Sequence, residues 1–422
     1  MMGSWACVAL LAASVCAFSS LTNTPGAIHG AVSLDVVRNC NFQRNGPAAY
    51  LKALSKYRAV IPDHLAKFRP DAKGSVGEVP AWNQSYDREY LSPIPIGSPP
   101  QIVWLDIDTG SADLWVFTPE TAAEMVTKSS SSRRIFDPSK SSTSSKVNAT
   151  WYISYERTGD GSSASGNVYR DQIQLGEIAV HDVIVESATS VSSSILTDEN
   201  MSGLMGLAFN HSSTVTPRQT TLLQQLSSQS GIDLFTVDLK YHNAGKYTFG
   251  AIDQSLYTGN ISYQPIINGS TFWKITLTTV SVAGTFLEYV SQWPAVIDTG
   301  TTLMLLPPDL VDLYWSEVPD SRNLPSWGGW VFPCNQTGRL PDFYFGFVND
   351  NFQATVPGRY MNYQNVTDEL CYGGIQDNMG LPFAILGDTM LKSVYAVFDS
   401  ANARVGFANK ALDQPRDDVS AH

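Results

Sequence analysis

The run Ile107-Asp108-Thr109-Gly110-Ser111-Ala112-Asp113-Leu114-Trp115 has an echo later in the chain, Ile297-Asp298-Thr299-Gly300-Thr301-Thr302-Leu303-Met304-Leu305. Each copy follows a short apolar stretch, Ile102 to Leu105 in the first and Ala295 to Ile297 in the second, and leads into another. Downstream of each lies a second shared pattern, two apolar residues then glycine, as Leu204-Met205-Gly206 and Ile385-Leu386-Gly387. Two weak repeats in the same order imply two lobes of like topology. A single Asp-Thr-Gly is a turn signature, the Asp capping its own backbone and the glycine supplying positive φ. Two copies, one per repeat, say more, because a pseudo-two-fold axis between the lobes brings the Asp108 and Asp298 carboxyls together in a cleft. Like charges at hydrogen-bonding distance do not both ionise freely, so such a pair shares one proton over a range of acidic pH. One carboxylate then acts as general base on a water held between them, while the protonated partner polarises a carbonyl.

The rest of the chain fits that frame. At 422 residues it has room for two or three folded units of roughly 150 each. Gly, Pro, Ser and Thr are plentiful and long apolar-periodic helices few, which favours a mostly β architecture rich in turns. Residues 89–96 and 101–108 read as strands around the turn Gly97-Ser98-Pro99-Pro100. Helices are expected over 219–229 and 308–318, the latter with Leu310, Val311 and Tyr314 on one face. The lobe boundary is expected near Gly259.

The N-terminal 20 residues carry no charged side chain and one apolar run too short to span a bilayer, which suits a signal peptide cleaved after Ala17. Between Phe18 and Lys73 there are eight Lys/Arg against three Asp/Glu, a balance of +5; from Gly74 onward 19 Lys/Arg face 36 Asp/Glu, a balance of −17. A basic leader before an acidic body docks electrostatically at neutral pH and detaches as carboxylates protonate; the alternative is a solvated leader with no inhibitory role. The leader carries helix-compatible apolar spacing over 48–57, and residues 62–80 read as an exposed linker open to proteolysis. Of five cysteines, Cys7 and Cys16 fall in the signal segment and Cys40 in the leader, leaving Cys334 and Cys371 as an expected disulfide. Sequons at Asn83, Asn148, Asn200, Asn210, Asn260, Asn268, Asn335 and Asn365 fit a glycoprotein of the secretory pathway.

Other chemistries find little support. The six histidines show no metal-ligand spacing, so no metal and no cofactor are expected. Gly-x-Ser-x-Gly is absent and the remaining cysteines read as structural, which removes nucleophilic catalysis. The acidic body argues against nucleic acid, and no later segment approaches membrane-spanning length.

With these residues in view, the sequence resembles the pepsin family of aspartic proteases, and within it the fungal penicillopepsin-like (aspergillopepsin-like) branch. The matching segments are 107–117, 159–171 (GDGSSASGNVYRD), 203–209 (GLMGLAF), 296–307 (VIDTGTTLMLLP) and 383–399 (FAILGDTMLKSVYAVFD). The resemblance implies an all-β, bilobal, pepsin-like fold with two pseudo-symmetric lobes and a few short helices. It also implies a secreted endopeptidase, monomeric, acting on proteins or peptides. The implied organisation is a signal peptide at 1–17, a basic propeptide at 18–77, an N-terminal lobe at 78–258 and a C-terminal lobe at 259–422. Ser111 and Thr301 would hydrogen-bond the outer oxygens of the two aspartates, Thr109 and Thr299 would interlock across the lobes, and Trp115 would pack behind the cleft. Gly110 and Gly300 complete the two motifs. The cleft would be lined by Tyr155 and the Leu204-Met205 region. The flap departs from the family pattern: Trp151-Tyr152-Ile153-Ser154-Tyr155 resembles its first strand, but Glu156-Arg157-Thr158 intervene before Gly159-Asp160. Either Tyr155 is the lid tyrosine above a longer tip, or Thr158 takes its place. Asp160 is either a substrate contact or a turn cap. Lys56-Tyr57 resembles the pair that plugs the dyad in pepsin-type proenzymes, or is an ordinary surface pair on a helix. A pepsin-like binding or inhibitor protein is the alternative function.

Overall fold

The alternation that suggested strands is realised almost throughout. The computed structural model describes residues 31–38, 44–68, 90–121, 133–154, 163–196, 200–209, 213–283, 285–347 and 352–412. The flap residues Tyr155, Gly159 and Asp160, Thr158, the signal segment and Cys40 lie outside the described residues. Strands of the first half are β1 (Val32–Arg38), β2 (Tyr90–Ile96), β3 (Gln101–Asp108), β4 (Leu114–Phe117), β5 (Ser145–Ser154), β6 (Ser163–Leu175), β7 (Ile178–Val191) and β8 (Gly203–Gly206). They continue with β9 (Leu234–Lys240), β10 (Asn243–Phe249), β11 (Thr258–Pro265), β12 (Lys274–Val282), β13 (Thr285–Ile297) and β14 (Met304–Leu306).

The two Asp-Thr-Gly motifs sit on one repeated topology. β3 ends at Asp108 and runs parallel to β8, which is antiparallel to β4. In the second half, β13 leads to Asp298 and runs parallel to the strand Ala384–Leu386, which is antiparallel to β14. The recurring apolar-apolar-glycine patterns are therefore the strands beside the two motifs. Their glycines are required by close approach: a Cβ on Gly206 would lie 2.6 Å from Asp113 N, and one on Gly387 would lie 2.1 Å from Thr301 O. Leu204 and Met205 are buried in the core, so the expectation that they line the cleft is corrected. Leu204 packs among Trp115, Trp151 and Ile184, and Met205 among Ile107, Leu114 and Val116, in the interior of the sheet.

The fold is all-β in character with a few short helices, as expected. One sheet runs in the order β11, Arg404–Asn409, Val394–Asp399, β9, β10, β1, β2, β3, β8, β4, β7, β6, β5. Residue 259 lies in β11, which pairs with Arg404–Asn409, while Val394–Asp399 pairs with β9. Strands from both halves thus share this sheet. The leader takes part too, with β1 between β10 and β2.

The leader helix α1 (Gly46–Lys56) begins at Asn45, whose side chain accepts from Ala48 N, and has Pro47 in its first turn, a favoured N-terminal arrangement. Tyr50, Leu51, Ala53, Leu54 and Tyr57 recur at helical spacing and bury against Val296, Leu303, Leu305, Tyr372 and Ile385 of the body. Of the linker expected over 62–80, residues 62–68 are described and are not an open linker, and the rest lies outside the described residues. Asp63–Ala66 forms a short helix, α2, with Leu65 fully buried, because Pro62 serves as its N-cap and the body offers Leu65 an apolar seat.

The helix expected over 219–229 is observed at Leu222–Ser230; it starts later because Thr221 and Gln224 form a capping box. The other spans Pro308–Ser316, with Leu310, Val311 and Tyr314 buried as expected. Cys334 and Cys371 are disulfide-bonded, with Cα atoms 5.0 Å apart.

Candidate active site

Asp108 and Asp298 meet at the junction of the two repeats, 1% and 0% exposed. Each motif turns its carboxylate back onto its own backbone. Gly110 N donates to Asp108 Oδ1 at 2.7 Å and Gly300 N to Asp298 Oδ1 at 3.0 Å. The outer oxygens are held as expected: Ser111 Oγ donates to Asp108 Oδ2 at 2.6 Å, and Thr301 Oγ1 to Asp298 Oδ2 at 2.5 Å. The two turns are bolted together by the threonines between them. Thr109 N donates to Thr299 Oγ1 at 3.1 Å and Thr299 N to Thr109 Oγ1 at 3.0 Å. Each hydroxyl then donates across to the opposite strand, Thr109 to Ile297 O at 2.9 Å and Thr299 to Ile107 O at 2.6 Å. These bonds are buried, so a shift of one turn would leave polar groups unsatisfied.

The glycines complete the match. A Cβ on Gly110 would lie 2.5 Å from Asp298 Oδ1, and one on Gly300 would lie 2.3 Å from Asp108 Oδ1. Each motif's glycine leaves room for the other lobe's carboxylate. Gly110→Ala is therefore expected to push the carboxyls apart and lower acid-pH kcat/KM by about 100-fold, the cost of a displacement near 1 Å. Peptide hydrolysis measured beside circular dichroism checks this; near-parent activity in a folded variant would contradict the packing.

In the described state the pair is capped by the leader. Lys56 Nζ donates to Asp108 Oδ1 at 2.6 Å and to Asp298 Oδ1 and Oδ2 at 2.9 and 3.0 Å. Tyr57 OH donates to Asp298 Oδ2 at 2.9 Å, and its ring packs edge-on against Phe272 and Phe383 at centroid distances of 5.3 and 5.5 Å. Both leader residues expected to plug the site thus lie on it. Burial disfavours the Lys56 charge, but the two aspartates outweigh that and hold its ammonium well above the ordinary lysine range. Burial also raises Asp108, against the opposing pull of Lys56, and the neighbouring Asp298 raises it further. Asp298 ends below the usual carboxylate range despite burial, because Lys56, Thr301 and Asp108 all stabilise its charge. Asp298 receives more donors than Asp108, so it is the more acidic partner.

The electrostatic docking expected from composition is present at the dyad, and apolar burial is added to it. Lys56 pairs with both aspartates and Lys52 acts on Asp106, while Tyr50, Leu51, Leu54, Tyr57 and Leu65 bury apolar surface against the body. A fully buried side chain of this kind contributes about 1.5–3 kcal/mol, more than most exposed ion pairs.

Trp115 is fully buried and stacks on Trp151 with centroids 6.1 Å apart. Among the described residues its indole Nε1 has no acceptor, and Tyr155, the partner that the resemblance implies, lies outside them. Asp106 was missed from the sequence. It is 6% exposed and precedes Asp108 by two positions on β3, so it projects to the same face. Burial, opposed by Lys52, pushes its carboxyl up to about 7. The period-two rule applied to the first motif would have found it. No cluster of potential metal ligands occurs among the described residues, and no helix there is long and apolar enough to cross a membrane.

A family model described as "Eukaryotic aspartyl protease" matches residues 89–410. The chain is 42% identical to Aspergillopepsin-1 of Aspergillus fumigatus over 87% of its own length and 89% of that protein's. It is 39% identical to Endothiapepsin of Cryphonectria parasitica, covering 90% of this chain and 91% of the relative. Penicillopepsin-1 of Talaromyces stipitatus is 42% identical over 86% and 88% of the two lengths.

Proposed function

The chain belongs to the eukaryotic aspartyl protease family and is an aspartic-type endopeptidase; from that premise we propose that it is made as a secreted zymogen and hydrolyses peptide bonds at acidic pH through Asp108, Asp298 and a water held between them. The observation that carries this reading is Lys56 Nζ, one atom within hydrogen-bonding distance of both carboxyls. When the leader leaves, the space its ammonium fills can take a water that touches the same oxygens.

The reaction then runs without a covalent intermediate. The ionised carboxylate takes a proton from the water as its oxygen adds to the scissile carbonyl carbon. The protonated carboxyl donates to the carbonyl oxygen as charge develops there. The C–N bond breaks as the first carboxyl returns its proton to the leaving amine, which restores a singly protonated pair. Gly110, Ser111, Gly300 and Thr301 hold the carboxyls in place, and Thr109 and Thr299 hold the lobes in register. Tyr155, Gly159 and Asp160 are proposed to close over the substrate, with Trp115 behind them.

The proposed organisation is a signal peptide at 1–17, an inhibitory leader at 18–77, and lobes at 78–258 and 259–422, working as a monomer outside the cell. Leader strand β1, the α1 seat and the Lys56-Tyr57 contacts support inhibition by occupation of the cleft. Exposed sequon asparagines at 148, 260, 268 and 335 support a glycoprotein. Incubation of the full chain near pH 3–4 is expected to remove the leader and leave a new N-terminus between Ala72 and Gln84, read by N-terminal sequencing. A chain still intact after prolonged incubation would contradict self-activation.

A further inference from the structure

The N-terminal half buries a second pair of carboxyls that the dyad chemistry does not use. Asp113, in the segment that leaves the first motif, and Glu186, in the middle of β7, are each 1% exposed and adjacent, Glu186 lying opposite Trp115, two residues beyond Asp113. Both Asp113 oxygens accept from Thr214 N, at 2.9 and 3.1 Å. Among the described residues no donor reaches Glu186 Oε2. Two carboxyls buried side by side do not both ionise freely, so burial and proximity together favour an acid hydrogen on the pair.

Among the described residues no cation relieves this requirement. The titratable groups on the elements packed around the pair are Tyr169, Arg170 and Asp171 on β6, His181 and Asp182 on β7, Glu120 in the turn after β4, and Arg218 in the 213–221 segment. The helix Leu222–Ser230 carries none. Glu120 turns to Ser187, Tyr169 and Asn167 instead. Glu186 responds only to burial and to Asp113.

The pair sits where it can act on the catalytic turn. Leu207 N donates to Asp108 O at 2.8 Å, Ala208 N to Ser111 O at 2.7 Å and Gly206 N to Asp113 O at 2.9 Å. The segment carrying Asp108 and Ser111 is thus stitched to β8 by backbone, and through the Asp113 carboxyl to Thr214. We propose that Asp113 and Glu186 form a proton-dependent positioning pair: a shared acid hydrogen ties the segment leaving the catalytic turn to β7, and its loss toward neutral pH releases that tie.

The sign follows from burial, which pushes both carboxyls above the ordinary range, helped at Glu186 by the neighbouring Asp113. A carboxyl raised in the folded state keeps its proton where the unfolded chain has lost it. Stability is then full in acid and falls as pH climbs above the ordinary carboxyl value of about 4. Each additional proton held by the fold lowers the folding equilibrium constant about tenfold per pH unit in that window.

Glu186→Gln tests this, because a glutamine amide donates to Asp113 without a titrating proton. Thermal unfolding of the full chain, parent and variant, is followed by circular dichroism from pH 5.5 to 8. The parent's folding constant is expected to fall more steeply than the variant's, by about tenfold per pH unit. Activity recovered in an acid assay after incubation at pH 7, each protein normalised to its own starting value, should likewise be higher in E186Q. Parallel unfolding curves, or a steeper fall in E186Q, would overturn the proposal. Should E186Q fail to fold, Asp113→Asn removes the same proton from the other side; the same divergence is expected and parallel curves again overturn it. The unfolding readout needs no peptidase activity, so it fails separately from the protease reading.

Discussion

Asp298→Asn is expected to lower acid-pH peptide hydrolysis by about 10³- to 10⁴-fold, the scale of losing general acid–base catalysis. The substitution keeps the shape of the side chain, leaving Gly300 N a carbonyl oxygen to bond while the Thr301 hydroxyl turns to accept from the amide, so the fold should survive. It removes a group that can take and return a proton. The variant should also keep its leader through the incubation near pH 3–4 that strips the parent, since self-cleavage uses the same pair. Gel electrophoresis after acid incubation and a fluorogenic peptide assay read the two effects. Hydrolysis within tenfold of the parent would mean that Asp298 does not share the chemistry with Asp108.

Lys56→Met should have the second largest effect, on latency. The ammonium is 5% exposed and neutralises two buried carboxyls. Removing one partner of a buried pair costs about 3–5 kcal/mol, because the other charge stays buried without compensation. Leader docking should weaken by about 10²- to 10⁴-fold, one power of ten for each 1.4 kcal/mol, and the variant should lose its leader at pH 5 much faster than the parent. The same geometry sets the direction of acid activation. Asp298 is held below the ordinary carboxylate range in the docked state, so its contribution to docking is present above that range and is lost as pH falls through its docked value. Lys56 stays charged throughout. Parent-like latency in Lys56→Met would show that apolar burial alone holds the leader down.

What could be read from the sequence tracks how local each signal is. The two Asp-Thr-Gly turns and their neighbouring glycines were legible because a cross-lobe contact with no spare space leaves few acceptable residues. The Pro308–Ser316 helix was legible from the spacing of Leu310, Val311 and Tyr314. Pairing partners were not. Nothing in Val32–Arg38 announces that a leader strand will sit between β10 and β2, because a partner so distant in sequence leaves no periodicity. Leu204 and Met205 looked like cleft lining because apolar content does not reveal which edges of a strand are covered. The leader's charge pointed to electrostatic docking, which Lys56 carries, but not to the apolar seat that Tyr50, Leu54 and Leu65 make beside it, since net charge reports composition and not contact. Asp113 and Glu186 were unreadable as a pair because separate strands bring them together.

The most direct test of the two-carboxyl account is titration of the acid-activated enzyme with pepstatin while it digests denatured globin at pH 3–4. Digestion should be strong without the inhibitor and fall to zero as pepstatin reaches one equivalent. Digestion that persists in excess pepstatin, or that occurs at neutral pH and not in acid, would contradict it.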